Sequence, residues 1–173
     1  MYILKTKMKI IRTLIIHIKS LVLLLLFLQP AFSNFINAQN LDLSPAKWIW
    51  YPSERTLQNT FILFRKEINI DKDQVSAKGW VIADSRYQLF VNGQRIQWGP
   101  APFDPRWQEA DPVDISSYLK PGKNVIGCQV LYYGIGDGTS PIGMPGLLMR
   151  INIDGKEIIT DGTWKSFLAR SWN

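Results

Sequence analysis

The stretch that decides the fold runs from Arg86 to Val130 and reads RYQLFVNGQRIQWGPAPFDPRWQEADPVDISSYLKPGKNVIGCQV. In Arg86–Val91, apolar and polar side chains follow a period of two, which predicts a half-buried strand. Asn92-Gly93 allows the positive φ angles that a type I′ turn requires, and Gln94–Gln97 is the predicted partner strand. The stretch therefore opens with a β-hairpin.

The second half of the stretch begins with a long loop, Pro100–Pro112, that is rich in aromatic residues, prolines and carboxylates. Asp114–Leu119 is predicted to form a short turn or single helical turn that Asp114 can cap. Pro121-Gly122 forces a tight turn. The mostly apolar Val125–Tyr133 that follows predicts a central strand buried on both faces.

The remainder of the chain repeats this pattern of short strands separated by turn residues. We expect further strands at Lys47–Tyr51, Asn59–Ile70, Ala77–Ala83, Leu147–Ile153, Lys156–Thr160 and Gly162–Leu168. No long stretch downstream of residue 38 shows helical periodicity. The predicted fold class is all-β, an antiparallel β-sandwich.

The first 38 residues have the layout of a helical secretory signal peptide. They carry five basic residues and no acidic one, and Leu21–Leu28 forms a short apolar core. Cleavage is predicted after Ser33 or Ala38. With the leader taken as residues 1–38, residues 39–173 form one exported domain, in the periplasm, on the cell surface or outside the cell. The alternative interpretation is an uncleaved membrane anchor.

Charge and residue content exclude several functions. The chain has 20 basic and 14 acidic residues, but without the leader the balance is 15 against 14, so no basic stripe indicates nucleic-acid binding. The single histidine, His17, lies in the leader, which excludes histidine-dependent triads and histidine-ligated metals in the mature part. We predict no cofactor and no metal, although a calcium site of loop oxygens stays open.

Carbohydrate binding is the most plausible active role, because sugars bind flat aromatic faces and a few placed polar groups. The candidate residues are Trp98, Phe103 and Trp107 as stacking surfaces, with Asn92, Asp104 and Arg106 as polar partners. The alternative is that these rings pack the loop onto the sheet. No carboxylate pair stands at a spacing that indicates glycoside hydrolysis, so no catalytic residue is assigned.

These residues also carry a family resemblance. The run Tyr87–Gly93 (YQLFVNG), followed by Asp114–Leu119 and Gly122-Lys-Asn124, resembles the jelly-roll, galactose-binding-like domain of glycoside hydrolases. Further features are similar to the N-terminal version found in bacterial α-L-rhamnosidases: Trp48-Ile-Trp50, Thr60–Lys66, Gly99-Pro100 with Trp107, and Asp161 with Trp164-Lys165.

The resemblance implies a non-catalytic accessory domain. In α-L-rhamnosidases the catalytic carboxylates sit in an (α/α)₆ barrel C-terminal to such a domain, so none of them maps onto this sequence. It implies a chain truncated on its C-terminal side, whose partners are a rhamnose-containing glycan and the missing barrel. The alternative is a free-standing carbohydrate-binding module, and a complete small enzyme is disfavoured. An exposed apolar patch would favour the accessory domain. A polar exterior around an aromatic groove would favour the free-standing module.

Overall fold

A computed structural model describes residues 14–15, 17–20, 41–136 and 141–170. The chain divides into two compact units, residues 1–41 and 42–173. Residues 14–15 and 17–20 are helical, and the rest of the predicted signal peptide lies outside the described residues. The signal peptide and the boundary after Ala38 therefore stay predictions. Within the described residues, no helix has the length and apolar character needed to cross a membrane.

The second unit consists of two antiparallel sheets. Its elements in chain order are β1 (Thr60–Ile70), β2 (Ala77–Asp84), β3 (Arg86–Val91), β4 (Gln94–Gly99), β5 (Asp111–Asp114), a 3₁₀ turn (Ser116–Tyr118), β6 (Gly122–Tyr132), β7 (Gly146–Ile153), β8 (Lys156–Ile159) and β9 (Lys165–Leu168). One sheet has the order β4-β3-β6-β1-β9 and the other β5-β2-β7-β8. The predicted all-β antiparallel sandwich is confirmed.

Alternating side chains build the core between the sheets. Along β3 every second residue is buried, and β1 follows the same alternation from Ile62 to Ile70 except at Lys66. The buried residues of β2 and β7 supply the opposing layer. The inward-facing set includes Ile62, Leu89, Val130, Met149 and Ile151, each with no exposed surface. Burying a side chain of this size contributes roughly 1.5–3 kcal/mol, so this layer is the main source of stability.

Tyr87 joins the two sheets through its hydroxyl group. The ring is buried, and its hydroxyl donates to Asp111 Oδ2 on β5 at 2.6 Å while accepting from Gln97 Nε2 on β4 at 2.8 Å. Burial first, and the Asp111 carboxylate second, raise the pKa of Tyr87, so the hydroxyl stays protonated. A tyrosine in the predicted strand thus both fills the core and links opposite layers.

The predicted hairpin forms as expected. Asn92 and Gly93 have φ angles of 52° and 84°, the positive values of a type I′ turn, and they join β3 to β4. Asp154 and Gly155 repeat the arrangement with φ angles of 47° and 90° between β7 and β8. Short-range turn chemistry was therefore sufficient to predict both hairpins.

Three expectations were wrong in detail. Strand β6 is fully buried on one face only, because its outward-facing side chains are half-buried or exposed. Lys47–Tyr51 forms a single bridge, Ile49 with Leu147, rather than a strand. The loop predicted to reach Pro112 ends at Ala110, where edge strand β5 begins. An edge position tolerates Pro112 because its missing N–H is needed by no neighbour.

The predicted helical turn is a single 3₁₀ turn, Ser116–Tyr118. Asp114 Oδ1 accepts hydrogen bonds from Ser116 N at 3.0 Å and from Ser116 Oγ at 2.6 Å. The residue directly before the helix is Ile115, which has no side-chain cap. Asp114 therefore holds the start of the turn from one position earlier than a standard cap.

Candidate functional site

Four of the six predicted sugar-contacting residues lie in the connection between β4 and β5, which passes from one sheet to the other. Its tip is organised by Asp104. The carboxylate accepts from Arg106 N at 2.9 Å, Arg106 Nε at 3.0 Å and Arg106 Nη2 at 2.6 Å. These hydrogen bonds lower the pKa of Asp104 to about 2, so the pair is charged at neutral pH. The loop therefore presents a closed, ion-paired turn.

Two tryptophans, one in this loop and one on the strand before it, are unusually exposed for apolar residues. Trp107 leaves 75% of its surface in solvent, and its backbone N–H donates to Asp104 O at 2.7 Å. Trp98, near the end of β4, is 74% exposed and lies opposite Gln88. Neither ring is used to pack the loop onto the sheet. Both are placed where a planar ligand can stack on them.

The structure does not bring Asn92 to this surface. Asn92 occupies the turn of the β3–β4 hairpin, with Trp98 roughly 14 Å further along β4 at about 3.4 Å per residue. Its Nδ2 donates to Tyr118 O at 3.0 Å and to Asn124 Oδ1 at 2.8 Å, and its Oδ1 accepts from Val125 N at 3.0 Å. These contacts tie the hairpin to the 3₁₀ turn and to the start of β6, so this side chain has a structural role here.

Phe103, also in the loop, points towards a buried carboxylate that the sequence did not single out. With Pro102, Pro105 and Pro141, it lines a cavity of about 20 Å³ that also contains Asp84, Ser85 and Arg86. Asp84 is only 6% exposed, and burial raises the pKa of its carboxyl group. The volume accommodates about one water molecule, which is too little for a sugar ring.

The polar groups around Asp84 are held by neighbouring segments. Ser85 Oγ donates to Asp84 Oδ1 at 2.8 Å and accepts from Tyr133 N at 3.1 Å. Arg86 donates to the carbonyl oxygen of Pro100, and its guanidinium carbon lies 5.9 Å from the centroid of the Tyr133 ring. A side chain at Gly143 would overlap Asp84, so that segment packs directly against the carboxylate.

The sequence offered one weak signal for this cavity, which was the polar Asp84-Ser85 pair between two apolar strands. Turn formation explained that pair equally well.

A larger cleft lies elsewhere and was also missed. It has a volume of about 250 Å³ and lies between the 51–59 loop and the segment after β9, with Trp50, Tyr51, Phe61, Arg55 and Arg170 among its lining. No acidic side chain lines it. Trp50 donates from Nε1 to Thr56 Oγ1 at 3.1 Å, and its ring lies 6.0 Å from Phe64. This cleft is a second surface with aromatic and polar character.

The described residues show no grouping of three or more His, Cys, Asp or Glu side chains that could hold a metal ion. Cys128 is buried in β6, and burial raises the pKa of its thiol. Its environment is that of a small core residue rather than a reactive thiolate.

Similar sandwich domains occur in proteins of known structure. No family profile and no curated protein matches the sequence. Solved structures do match. The GH78 family rhamnosidase of Bacillus sp. GL1 is 34% identical with a TM-score of 0.67, over 72% of this chain and 13% of that one. The apo form of the Pleurotus ostreatus lectin is 28% identical with a TM-score of 0.58, over 75% and 36% of the two chains.

A third similar structure, the α-L-rhamnosidase of Aspergillus terreus, is 26% identical with a TM-score of 0.50, over 68% and 16% of the two chains. The resemblance to a domain of GH78 α-L-rhamnosidases, inferred from sequence, is thereby confirmed. This chain spans a small part of the length of those enzymes, 13% and 16%. The similarity therefore concerns one domain and not the whole enzyme.

Proposed function

We propose that this chain is a non-catalytic, carbohydrate-binding accessory domain of an exported α-L-rhamnosidase-type glycoside hydrolase. It positions a glycan beside a catalytic barrel, or braces that barrel. The proposal is supported by structural similarity to a rhamnosidase domain and to a lectin. Its predicted location is the periplasm, the cell surface or the outside of the cell.

The observation that carries the proposal is the exposure of two tryptophans, Trp98 on the strand that leads into the loop and Trp107 within the loop. The apolar face of a sugar ring stacks on an indole, while hydroxyl groups need planar donors and acceptors around it. Gln88 beside Trp98, and Asp104 with Arg106 beside Trp107, supply such groups. Arg106 is 81% exposed at its side chain, so donors not used by Asp104 face solvent.

The test is isothermal titration of the full chain with rhamnose-containing oligosaccharides. Trp107→Ala should weaken binding about tenfold, the value expected for losing one stacking contact. Phe167→Ala is the matched control, because Phe167 is also well exposed, at 63%, but lies on a different strand edge. Equal affinity of wild type and Trp107→Ala would contradict the proposed site.

Two further measurements separate related outcomes. Tyr51→Ala tests the 250 Å³ cleft, and loss of binding there alone would move the site to that cleft. The purified chain is expected to release no rhamnose from rhamnosides. Turnover that a single carboxylate substitution abolishes would show that the domain is itself catalytic.

The second candidate is a free-standing carbohydrate-binding module. It is supported by the similarity to the Pleurotus ostreatus lectin, of which this chain spans 36%. The coding sequence downstream of Asn173 distinguishes the two candidates. A continuing frame that encodes a helical barrel supports the accessory domain, and a stop codon supports the module.

A further inference from the structure

The outer face of the five-stranded sheet carries a row of side chains that crosses all five strands. Strand register places Trp98 opposite Gln88, Gln88 opposite Gln129, Gln129 opposite Leu63, and Leu63 opposite Phe167. Directly opposed residues of antiparallel strands point to the same face. These five side chains, which we call the outer row, therefore lie side by side. At about 4.8 Å between strands, the row is roughly 19 Å long.

The outer row is apolar at three of its five positions, and those three are exposed. Leu63 leaves 40% of its surface in solvent, Phe167 63% and Trp98 74%. Half-buried apolar neighbours on the same face widen the patch on both sides of the row: Phe61, Phe90, Val125 and Leu131. Scattered exposed apolar residues are ordinary, but a contiguous patch on one sheet face marks a contact surface.

Basic side chains lie on both sides of the outer row. Arg86 lies opposite Leu131 on one side, and Arg95, Arg65 and Lys165 share the next row on the other. Arg65 lies opposite Lys165, Arg95 lies opposite Phe90, and Lys123 lies 2.7 Å from Glu67 in an ion pair. Glu67 is the only carboxylate at the outward-facing positions of these five strands, all of which the structure describes. Five basic side chains thus share this face with one acidic side chain, and Glu67 is already paired with Arg65 as well.

We infer that the outer face of the five-stranded sheet docks a neighbouring protein surface with an apolar centre and an acidic margin. The inference rests on the accessory role proposed above but not on sugar binding. Protein interfaces combine an apolar core with a charged rim, and complementary rim charges select the partner. An amphipathic helix of about thirteen residues, at 1.5 Å per residue, matches the length of the row.

The same observations disfavour the two other occupants. A second copy of this chain would bring one basic margin against another, which repels. A glycan would use Trp98 and the glutamine amides but would leave Leu63 and Phe167, at 40% and 63% exposure, without a matching apolar surface. An apolar, acid-flanked polypeptide covers Leu63 and Phe167 and pairs with the basic residues, and where it reaches Trp98 it competes with a glycan.

The test uses two labelled amphipathic helical peptides that share one Leu/Phe stripe and differ only in flanking Glu or Lys residues. Fluorescence anisotropy with the full chain should show roughly tenfold tighter binding of the Glu peptide, with the difference shrinking as salt is added. The double variant Leu63→Glu/Phe167→Glu should bind neither peptide. Ile142→Glu/Met144→Glu, at sites 62% and 83% exposed outside the row, is the matched control and should bind like wild type.

Circular dichroism checks that each variant is folded. If the double variant is unfolded, the single variant Phe167→Glu replaces it in the binding test. The inference would be overturned if the chain bound neither peptide or bound both with equal affinity. It would also be overturned if sedimentation showed a dimer of the chain that Phe167→Glu dissociates. Loss of oligosaccharide binding in Leu63→Glu/Phe167→Glu would instead assign the face to a glycan. Because Trp107 lies outside the row, Trp107→Ala should affect oligosaccharide titrations alone, so failure of either proposal is recognisable by itself.

Discussion

The two outer faces of the sandwich differ sharply although they enclose one core. On the four-stranded sheet, Arg150 pairs with Glu157 at 2.7 Å and donates to the carbonyl oxygens of Asp42 and Ser44 at 3.1 and 2.7 Å. The chain before β1 is thereby held against this sheet, where Lys47 N also donates to Thr160 O at 2.8 Å. The outer face of the five-stranded sheet instead leaves Trp98, Leu63 and Phe167 open to solvent.

This difference shows that, among the described residues, one face of the domain is covered by the segment before β1, while the other leaves apolar side chains exposed. The four-stranded sheet satisfies its outward polar groups locally, including an ion pair between Lys78 and Asp114 at 3.5 Å. The five-stranded sheet has the same inner alternation but an apolar exterior. The four-stranded side is therefore expected to respond to substitution through stability, and the five-stranded side through binding.

The largest expected effect comes from a pair of glycines, one in each sheet. A Cβ on Gly79 of β2 would overlap the backbone carbonyl of Arg150 on β7, whereas the nearest atoms to a Cβ on Gly127 of β6 lie at 3.8 Å. Gly79→Ala should cost about 3 kcal/mol or more, because backbone has to move. Gly127→Ala should stabilise by about 0.5 kcal/mol, since a strand glycine is entropically costly. Urea unfolding measures both, and equal midpoints would contradict the difference in packing.

An intermediate effect is expected from two arginines. Arg150→Met removes the donors that hold Asp42 and Ser44, so amide protection at Lys47 and Ile49 should fall roughly tenfold in hydrogen exchange. Arg65→Met removes an exposed ion pair on the other face and should leave that protection unchanged. If both variants exchange alike at these amides, Arg150 does not fasten the leading segment.

The smallest expected effect concerns pH. Hydrogen bonds from Lys123 and Arg65 lower the pKa of Glu67 from 4.5 to about 2. A lowered folded-state pKa means that the carboxylate contributes stability above pH 4.5 and loses it as pH falls towards 2. Glu67→Gln should therefore melt at a temperature closer to wild type at pH 3 than at pH 6. A gap between the two melting temperatures that is constant across this range would contradict the pairing.

Asp84 is expected to act in the opposite sense. Burial raises the pKa of Asp84, so the charged carboxylate destabilises the folded state and stability falls as pH rises through that pKa. Asp84→Asn has no such pH dependence, so its melting temperature relative to wild type should be higher at pH 6 than at pH 3. Thermal melts of Asp84→Asn over the same pH range provide the comparison with Glu67→Gln.

Much of the fold was readable from local sequence because turns and alternation are short-range signals. Strand Arg86–Val91 matches its predicted bounds, and the Asn92-Gly93 turn has the predicted φ angles. The error at β6 has a definite cause. Val125 and Leu131 lie on the outer face, and apolar residues on an uncovered face look the same in sequence as core residues. Burial on the second face depends on what packs there, which alternation does not encode.

The candidate site was predictable only where it is made of neighbouring residues. Asp104, Arg106 and Trp107 come together because they are adjacent in one loop. The Asp84 cavity was missed since it requires convergence of three segments, residues 84–86, 102–105 and 141–143. Asn92 was assigned to the sugar surface for its chemistry, yet its amide is used by Tyr118 and Asn124.

The Asn92-Gly93 turn also makes the domain sensitive to chemical ageing. An asparagine followed by glycine loses its amide nitrogen readily, because glycine leaves the following backbone nitrogen free to attack the side chain. Conversion of Asn92 to aspartate would replace a donor with a second negative oxygen facing Asn124 Oδ1, which accepts that donor at 2.8 Å. The residue that closes the hairpin would then repel the segment it holds.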